Sequence, residues 1–263
     1  MTRTWCRAVV ALVVVALIAL AASPNARARV RAVATQGPMH VLFIGNSYTR
    51  ANDLPHTVQR IAAAVPSGSE LRVTSIANPG WDLARHWLVP ETRETISHGG
   101  FTHVVLQGHS LTALHNRDEF EGYARLFDDE IQRIGARTVL YETWARRPGS
   151  GAYRREHIAE SPVQMQAEIS ECYLQLARDI GADVAPAGRA FFLALQRLDD
   201  DADLYRSDGA HPSRNGTYLA GLVLYATITN QDPRQTRFRP HPMSRRLGSE
   251  LRDVAYHAVF GTR

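Results

Sequence analysis

The chain has 263 residues, 44% hydrophobic and 21% charged, with a formal net charge of +4. Arg3, Arg7 and Arg27 lie in the first segment with no acid beside them, so the remainder is near neutral and lacks the electrostatic footprint of a nucleic-acid binder. Cys172 stands alone once Cys6 is set aside with that segment, which excludes an internal disulfide and a thiolate metal cluster in the remainder.

Met1 to Arg7 carries two positive charges, Ala8 to Ala22 is an unbroken apolar run, and Ala26-Arg27-Ala28 places small residues before a cleavage point. This is the layout of a secretory signal peptide. The alternative is an uncleaved membrane anchor, for which the run is short, since a membrane-spanning helix needs roughly 20 apolar residues. We therefore expect a signal peptide over 1–28, a linker over 29–37 and one domain over 38–263. The protein is expected to be exported, periplasmic or extracellular, without stable membrane insertion after cleavage.

Within the domain, His40 to Gly45 reads as a buried strand, followed by a helix over Leu54 to Val65 and a second strand over Leu71 to Ile76. Short helices are predicted over Asp82 to Trp87 and Glu91 to Ser97, and a third strand over His103 to Leu106. An amphipathic helix over Asp118 to Ile134 precedes a fourth strand, Thr138 to Tyr141. A long helix, Pro162 to Ile180, contains Cys172 at an apolar position and leads to a fifth strand, Asp183 to Ala185. Helices over Ala187 to Arg197, Thr217 to Thr229 and Ser244 to Phe260 complete the chain. The longest irregular stretch is Arg146 to Glu160, and the basic run Arg234, Arg237, Arg239, Arg245, Arg246 reads as solvated surface. Alternating strands and helices predict a three-layer α/β/α sandwich around a mostly parallel five-stranded sheet.

Ligands of open α/β sheets bind beyond the carboxyl ends of the strands. Those ends carry Gly45-Asn46-Ser47-Tyr48-Thr49, Asn78-Pro79-Gly80-Trp81, Gln107-Gly108-His109-Ser110 and Glu142-Thr143-Trp144; Ser207-Asp208-Gly209-Ala210-His211-Pro212 follows later. A serine hydroxyl is a weak nucleophile at neutral pH and needs an imidazole base, which in turn needs a carboxylate. Asp208 and His211, three apart on one loop, can supply both to Ser47. The amides of Ser47 and Gly80, with a side-chain amide from the third tip, can stabilise an oxyanion. Tyr48, Trp81, His109 and Trp144 lie at the expected site edge as candidate substrate contacts, with half-buried packing as the alternative for the two tryptophans. His86 also lies near a tip. No His/Asp/Glu cluster has metal-ligand spacing, so no metal and no cofactor is expected.

The strand followed by Gly45-Asn46-Ser47-Tyr48-Thr49, then Gly80, then Asp208-x-x-His211 before a proline and a helix, resembles the SGNH/GDSL hydrolases. The match runs from about His40 to Thr229. It implies a flavodoxin-like fold and a Ser47–His211–Asp208 triad acting through an acyl-enzyme on short acyl esters of carbohydrate or lipid-like alcohols. The third block departs from the common Gly-x-Asn: Gln107-Gly108-His109-Ser110 resembles the Gln-Gly-Glu-Ser type of the carbohydrate acetylesterase branch. Gln107 is therefore assigned the third oxyanion donor, with Ser110 as alternate. Asn46 is expected to hold the turn. The substrate partner is a small-molecule or glycan ester. The alternatives are an acyltransferase using the same triad and a secreted binding protein that kept the fold without turnover.

Overall fold

In this computed structural model the described residues are 38–66, 68–155, 159–198 and 202–261. The expected signal peptide and linker, and His157, lie outside them. Five strands form one sheet: β1 Met39–Gly45, β2 Leu71–Ala77, β3 His103–Leu106, β4 Arg137–Glu142 and β5 Asp183–Pro186. Their order is β2-β1-β3-β4-β5, and all four pairings are parallel. This is the flavodoxin-like order, in which the chain reverses direction across the sheet between β1 and β3.

The two faces of the sheet are built by the period-two alternation of buried strands. In β1, Met39, Val41 and Phe43 enter one apolar cluster, while Leu42 and Ile44 enter the other. β4 divides likewise, with Val139 and Tyr141 on the first face and Leu140 on the second.

Eleven α-helices lie among the described residues. They begin with α1 Ser47–Arg50, α2 Leu54–Ala63, α3 Leu83–Leu88, α4 Pro90–His98, α5 Thr112–His115 and α6 Arg117–Arg133. α7 Ala152–Arg155, α8 Pro162–Ile180, α9 Ala187–Leu198, α10 Arg214–Thr229 and α11 Arg245–Phe260 follow. Apolar residues of α2, α9, α10 and α11 fill the first cluster, and those of α6 and α8 the second. Among the described residues no helix is long and apolar enough to cross a membrane.

α10 is buried nearly all round from Gly216 to Ala226, as expected for a helix apolar on every side. It starts three residues earlier than its apolar run predicts, because the Ser213 side chain accepts from the Asn215 and Gly216 amides. The single-turn helices α1, α5 and α7 escape periodicity, being too short to show it. Cys172 is fully buried on α8, and burial pushes its thiol up to about 12.

Candidate active site

β1 ends at Gly45, and the chain must turn there without a side chain. A Cβ on Gly45 would lie 2.6 Å from Gln107 Oε1, with Thr49 Oγ1 nearer still. Asn46 then caps α1, its Oδ1 accepting from the Tyr48 amide at 3.1 Å. Its Nδ2 donates to the Trp81 carbonyl at 3.0 Å, so the first and second tips are tied together. The Gly45 carbonyl accepts from the Asn78 amide and from His86 Nε2 at 2.8 Å. The turn that presents Ser47 is thereby tied to the segment after β2 at three points.

Ser47 opens α1, half-buried, with its Oγ 2.9 Å from His211 Nε2. His211 Nδ1 stands 2.7 Å from Asp208 Oδ2. The carboxylate only accepts, so Nδ1 carries the proton and the Nε2 lone pair faces the serine hydroxyl. Asp208 Oδ1 accepts from the Ala210 and His211 amides at 2.8 and 2.9 Å. Partial burial pushes the Asp208 carboxyl up, but these amides and the His211 ring outweigh it and hold it below the ordinary carboxylate value. The edge of the Tyr48 ring meets the His211 ring at 5.3 Å and limits its rotation.

The loop that carries Asp208 and His211 is held by the segment after β4. Trp144 Nε1 donates to the Ala210 carbonyl at 3.0 Å, and the Arg147 amide to the Gly209 carbonyl at 2.8 Å. Asn52 Nδ2 donates to the Pro212 and Ser213 carbonyls from the other side.

Gly80 follows Pro79 in a tight turn closed by the Trp81 amide on the Asn78 carbonyl. Its φ of +74° is the left-handed value that glycine adopts without cost. A Cβ there would meet nothing within 4 Å, so the backbone faces open space. Among the described residues neither the Ser47 nor the Gly80 amide donates to a protein acceptor.

Several sequence expectations change. Gln107 is fully buried, and its Nε2 donates to Asn46 Oδ1 at 3.0 Å and to the Gly108 carbonyl. Its Oε1 accepts from the Asn46 amide and from Thr49 Oγ1. Both amide hydrogens are thus spent below the turn, and Gln107 is not placed as an oxyanion donor. Ser110, the alternate, is buried with Oγ 3.3 Å from both terminal nitrogens of Arg146. Arg146 Nη1 also donates to the Tyr48 hydroxyl at 2.7 Å. Tyr48 and Trp144 are buried too and have no surface for substrate: Trp144 is sandwiched between Tyr48 and Phe191, stacked on both at 5.0 and 4.0 Å. His86 is fully buried beneath Gly45. Trp81 and His109 remain partly exposed, with the Arg85 guanidinium over the Trp81 ring. Burial, and then Arg146, lower the pKa of His109.

The sequence reading missed the buried Arg146 and the clamp made by Trp144, because both depend on an irregular loop folding back over the sheet edge. Thr49 and Asn52 carried no periodic signal either.

No protein-family profile matches the sequence, and no curated protein matches it. The fold does have solved relatives. A protein assigned as an SGNH hydrolase from Slackia heliotrinireducens is 29% identical, covers 73% of this chain and 100% of its own, and superposes with a TM-score of 0.61. The chain belongs to the SGNH hydrolase superfamily. A DUF4886 family protein from Bacteroides uniformis superposes with a TM-score of 0.72 at 16% identity, over 84% of this chain and 95% of its own. An acetylxylan esterase from Geobacillus stearothermophilus gives 0.56 at 16% identity, over 78% and 100%. In this SGNH hydrolase the first-block turn, the second-block glycine and the Asp-x-x-His loop all lie at the carboxyl edge of the sheet, where β1 and β3 diverge.

Proposed function

We propose that this SGNH hydrolase cleaves carboxylic esters through a Ser47 acyl-enzyme. The observation that carries the reading is the continuous relay Ser47 Oγ–His211–Asp208, at 2.9 and 2.7 Å. Ser47 Oγ attacks the ester carbonyl carbon as His211 Nε2 takes its proton. The carbonyl oxygen becomes an oxyanion, which the free Ser47 and Gly80 amides are available to stabilise. Collapse of the tetrahedral intermediate releases the alcohol, protonated by His211, and leaves an acyl-serine. His211 then deprotonates a water molecule, which attacks the acyl carbon and restores Ser47. Asp208 stays ionised throughout, holding the tautomer and stabilising the imidazolium.

Short acyl groups on a carbohydrate are the substrate class we favour. Two features support it: the Gln-Gly-x-Ser third tip and the structural likeness to an acetylxylan esterase. Water has access to the relay for the second half of the reaction, since the His211 and Asp208 side chains are 35% and 47% exposed. The test is release of acetate from acetylated xylo-oligosaccharides and of phenol from aryl acetates, paired with fluorophosphonate labelling. Labelling that maps to Ser47 and disappears in Ser47→Ala is expected. A wild-type protein that neither labels nor turns over any short-chain ester would favour a binding protein instead.

A further inference from the structure

The basic run near the C-terminus reads as solvated surface, and part of it is. Arg234 pairs with Asp232 at 2.7 Å, and Arg246 with Glu250 at 2.9 Å. Arg239 behaves differently. The segment Phe238 to His241 folds back toward α2 and the first turn of α10, and a cavity of about 330 Å³ lies between them. That volume is within the range of small-ligand sites. Arg60, Arg214 and Arg239 line it together with His241, and among the described residues no aspartate or glutamate does.

None of these three arginines forms an ion pair among the described residues. Arg60 is hydrogen-bonded only to neutral groups, the His56 carbonyl and Thr57 Oγ1, and lies over the Phe238 ring. The nearby acid Asp53 is outside the cavity and pairs with His56 at 2.7 Å. Three like charges therefore line one small volume with no counter-charge among the described residues, and an anion entering it would relieve their repulsion. The Asn52 amide and the Tyr218 hydroxyl of the wall are already committed. Asn52 Nδ2 donates to the Pro212 carbonyl and Thr217 Oγ1, and the Tyr218 hydroxyl to the Phe238 carbonyl. The charged donors of the wall are guanidinium N–H groups, whose planar fork matches the oxygens of a phosphate, and the Thr57 and Thr217 hydroxyls, which accept from Arg60 and Asn52, keep their own O–H to donate. Arg214 and Thr217 also lie in the first turn of α10, where the helix dipole is positive.

We propose that this pocket is an anion site for a phosphate group, separate from the Ser47 relay. The ligand is either inorganic phosphate or the phosphomonoester of a larger molecule such as a lipid headgroup. Calorimetric titration of the whole protein with sodium phosphate, against sodium chloride at matched ionic strength, is expected to show saturable binding at one site per chain. Arg60→Ala, Arg214→Ala and Arg239→Ala should each weaken it by about tenfold or more. Arg237→Ala, which removes an exposed charge of the same run outside the cavity, should leave it unchanged. Circular dichroism checks that each variant is folded. Phosphatidylcholine vesicles with and without phosphatidic acid separate the sources. Capture only by phosphatidic acid, lost in the three pocket variants, assigns the headgroup; phosphate binding with no capture assigns a soluble phosphate. No binding of either probe, or equal weakening by Arg237→Ala, overturns the site.

Discussion

Asn46 and Gln107 show how much of a nucleophile's reactivity lies in its neighbours. Two hydrogen bonds join them: the Asn46 backbone N–H donates to Gln107 Oε1, and Gln107 Nε2 donates to Asn46 Oδ1. The pair locks the turn that presents Ser47. Gln107→Ala would leave Asn46 and Thr49 with buried unmet polar groups, each costing about 1–3 kcal/mol. We expect that variant to lower the melting temperature together with kcat. A lost oxyanion donor would instead lower kcat by about 10²-fold or more at unchanged stability, so thermal unfolding alongside kinetics decides between the two roles. In the relay itself, Ser47→Ala and His211→Ala should each reduce kcat by on the order of 10⁵-fold or more, and the double variant should be little worse, because the two act as a unit. Asp208→Ala should cost about 10⁴-fold, since a misoriented imidazole can still accept a proton. Substantial ester turnover by a folded Ser47→Ala would falsify the serine mechanism.

At the scale of elements, the site is assembled by the ends of strands and braced by one loop. Gly45→Ala inserts a methyl group between β1 and Gln107, where overpacking costs about 1–3 kcal/mol. Because the strain falls directly before Ser47, activity should drop more than stability. Trp144 joins two kinds of packing: its ring stacks between Tyr48 and Phe191, and its N–H holds the Ala210 carbonyl. Trp144→Phe keeps an aromatic ring in the stack but loses that hydrogen bond. Its expected signature is a lower kcat with KM nearly unchanged, at a stability cost of about 1 kcal/mol. Unchanged kcat would show that the Arg147 and Asn52 contacts suffice to hold the His211 loop.

For the molecule as a whole, buried histidine gives a pH dependence of stability. His86 is fully buried, and its Nε2 must carry a proton because the Gly45 carbonyl can only accept. Its Nδ1 has no partner among the described residues, so the cation would place a buried N–H against nothing there. Desolvation lowers its pKa against the opposing pulls of the Gly45 hydrogen bond and Asp82. The unfolded chain therefore binds more protons below about pH 6.5, and stability should fall as pH drops from there toward the lowered native value. His109, also lowered, adds in the same direction. His86→Gln, which keeps a donor for the Gly45 carbonyl, should flatten the slope of denaturant-derived stability above the carboxylate range; an unchanged slope would assign it to other groups. The proposal of export is tested at this scale as well. Mass spectrometry of protein recovered from the secreted or periplasmic fraction should find an N-terminus at or near Arg29, whereas an intact Met1 in a membrane fraction would support the anchor.

The five strands and the long helices were legible in the sequence because burial on both faces writes near-continuous apolar runs, and helix faces write a 3.6-residue period. The order of polar strand tips was legible for the same reason: a parallel sheet directs the tip of every strand to one edge. Ser47, Asp208 and His211 could be named because their spacing relative to a strand and a helix is local, and the fold brings Ser47 and His211, 164 positions apart, to hydrogen-bonding distance. Which side chains line the site and which support it was decided only by tertiary structure. Gln107, Tyr48 and Trp144 are polar or amphipathic residues at strand tips, and nothing local separates a tip residue facing the substrate from one turned beneath the turn. That choice rests on packing between segments far apart in sequence: Asn46 against Gln107, and Trp144 against Phe191 and the Ala210 carbonyl. The arginine pocket has the same origin, since Arg60, Arg214 and Arg239 become neighbours only when α2, α10 and the segment before α11 pack together.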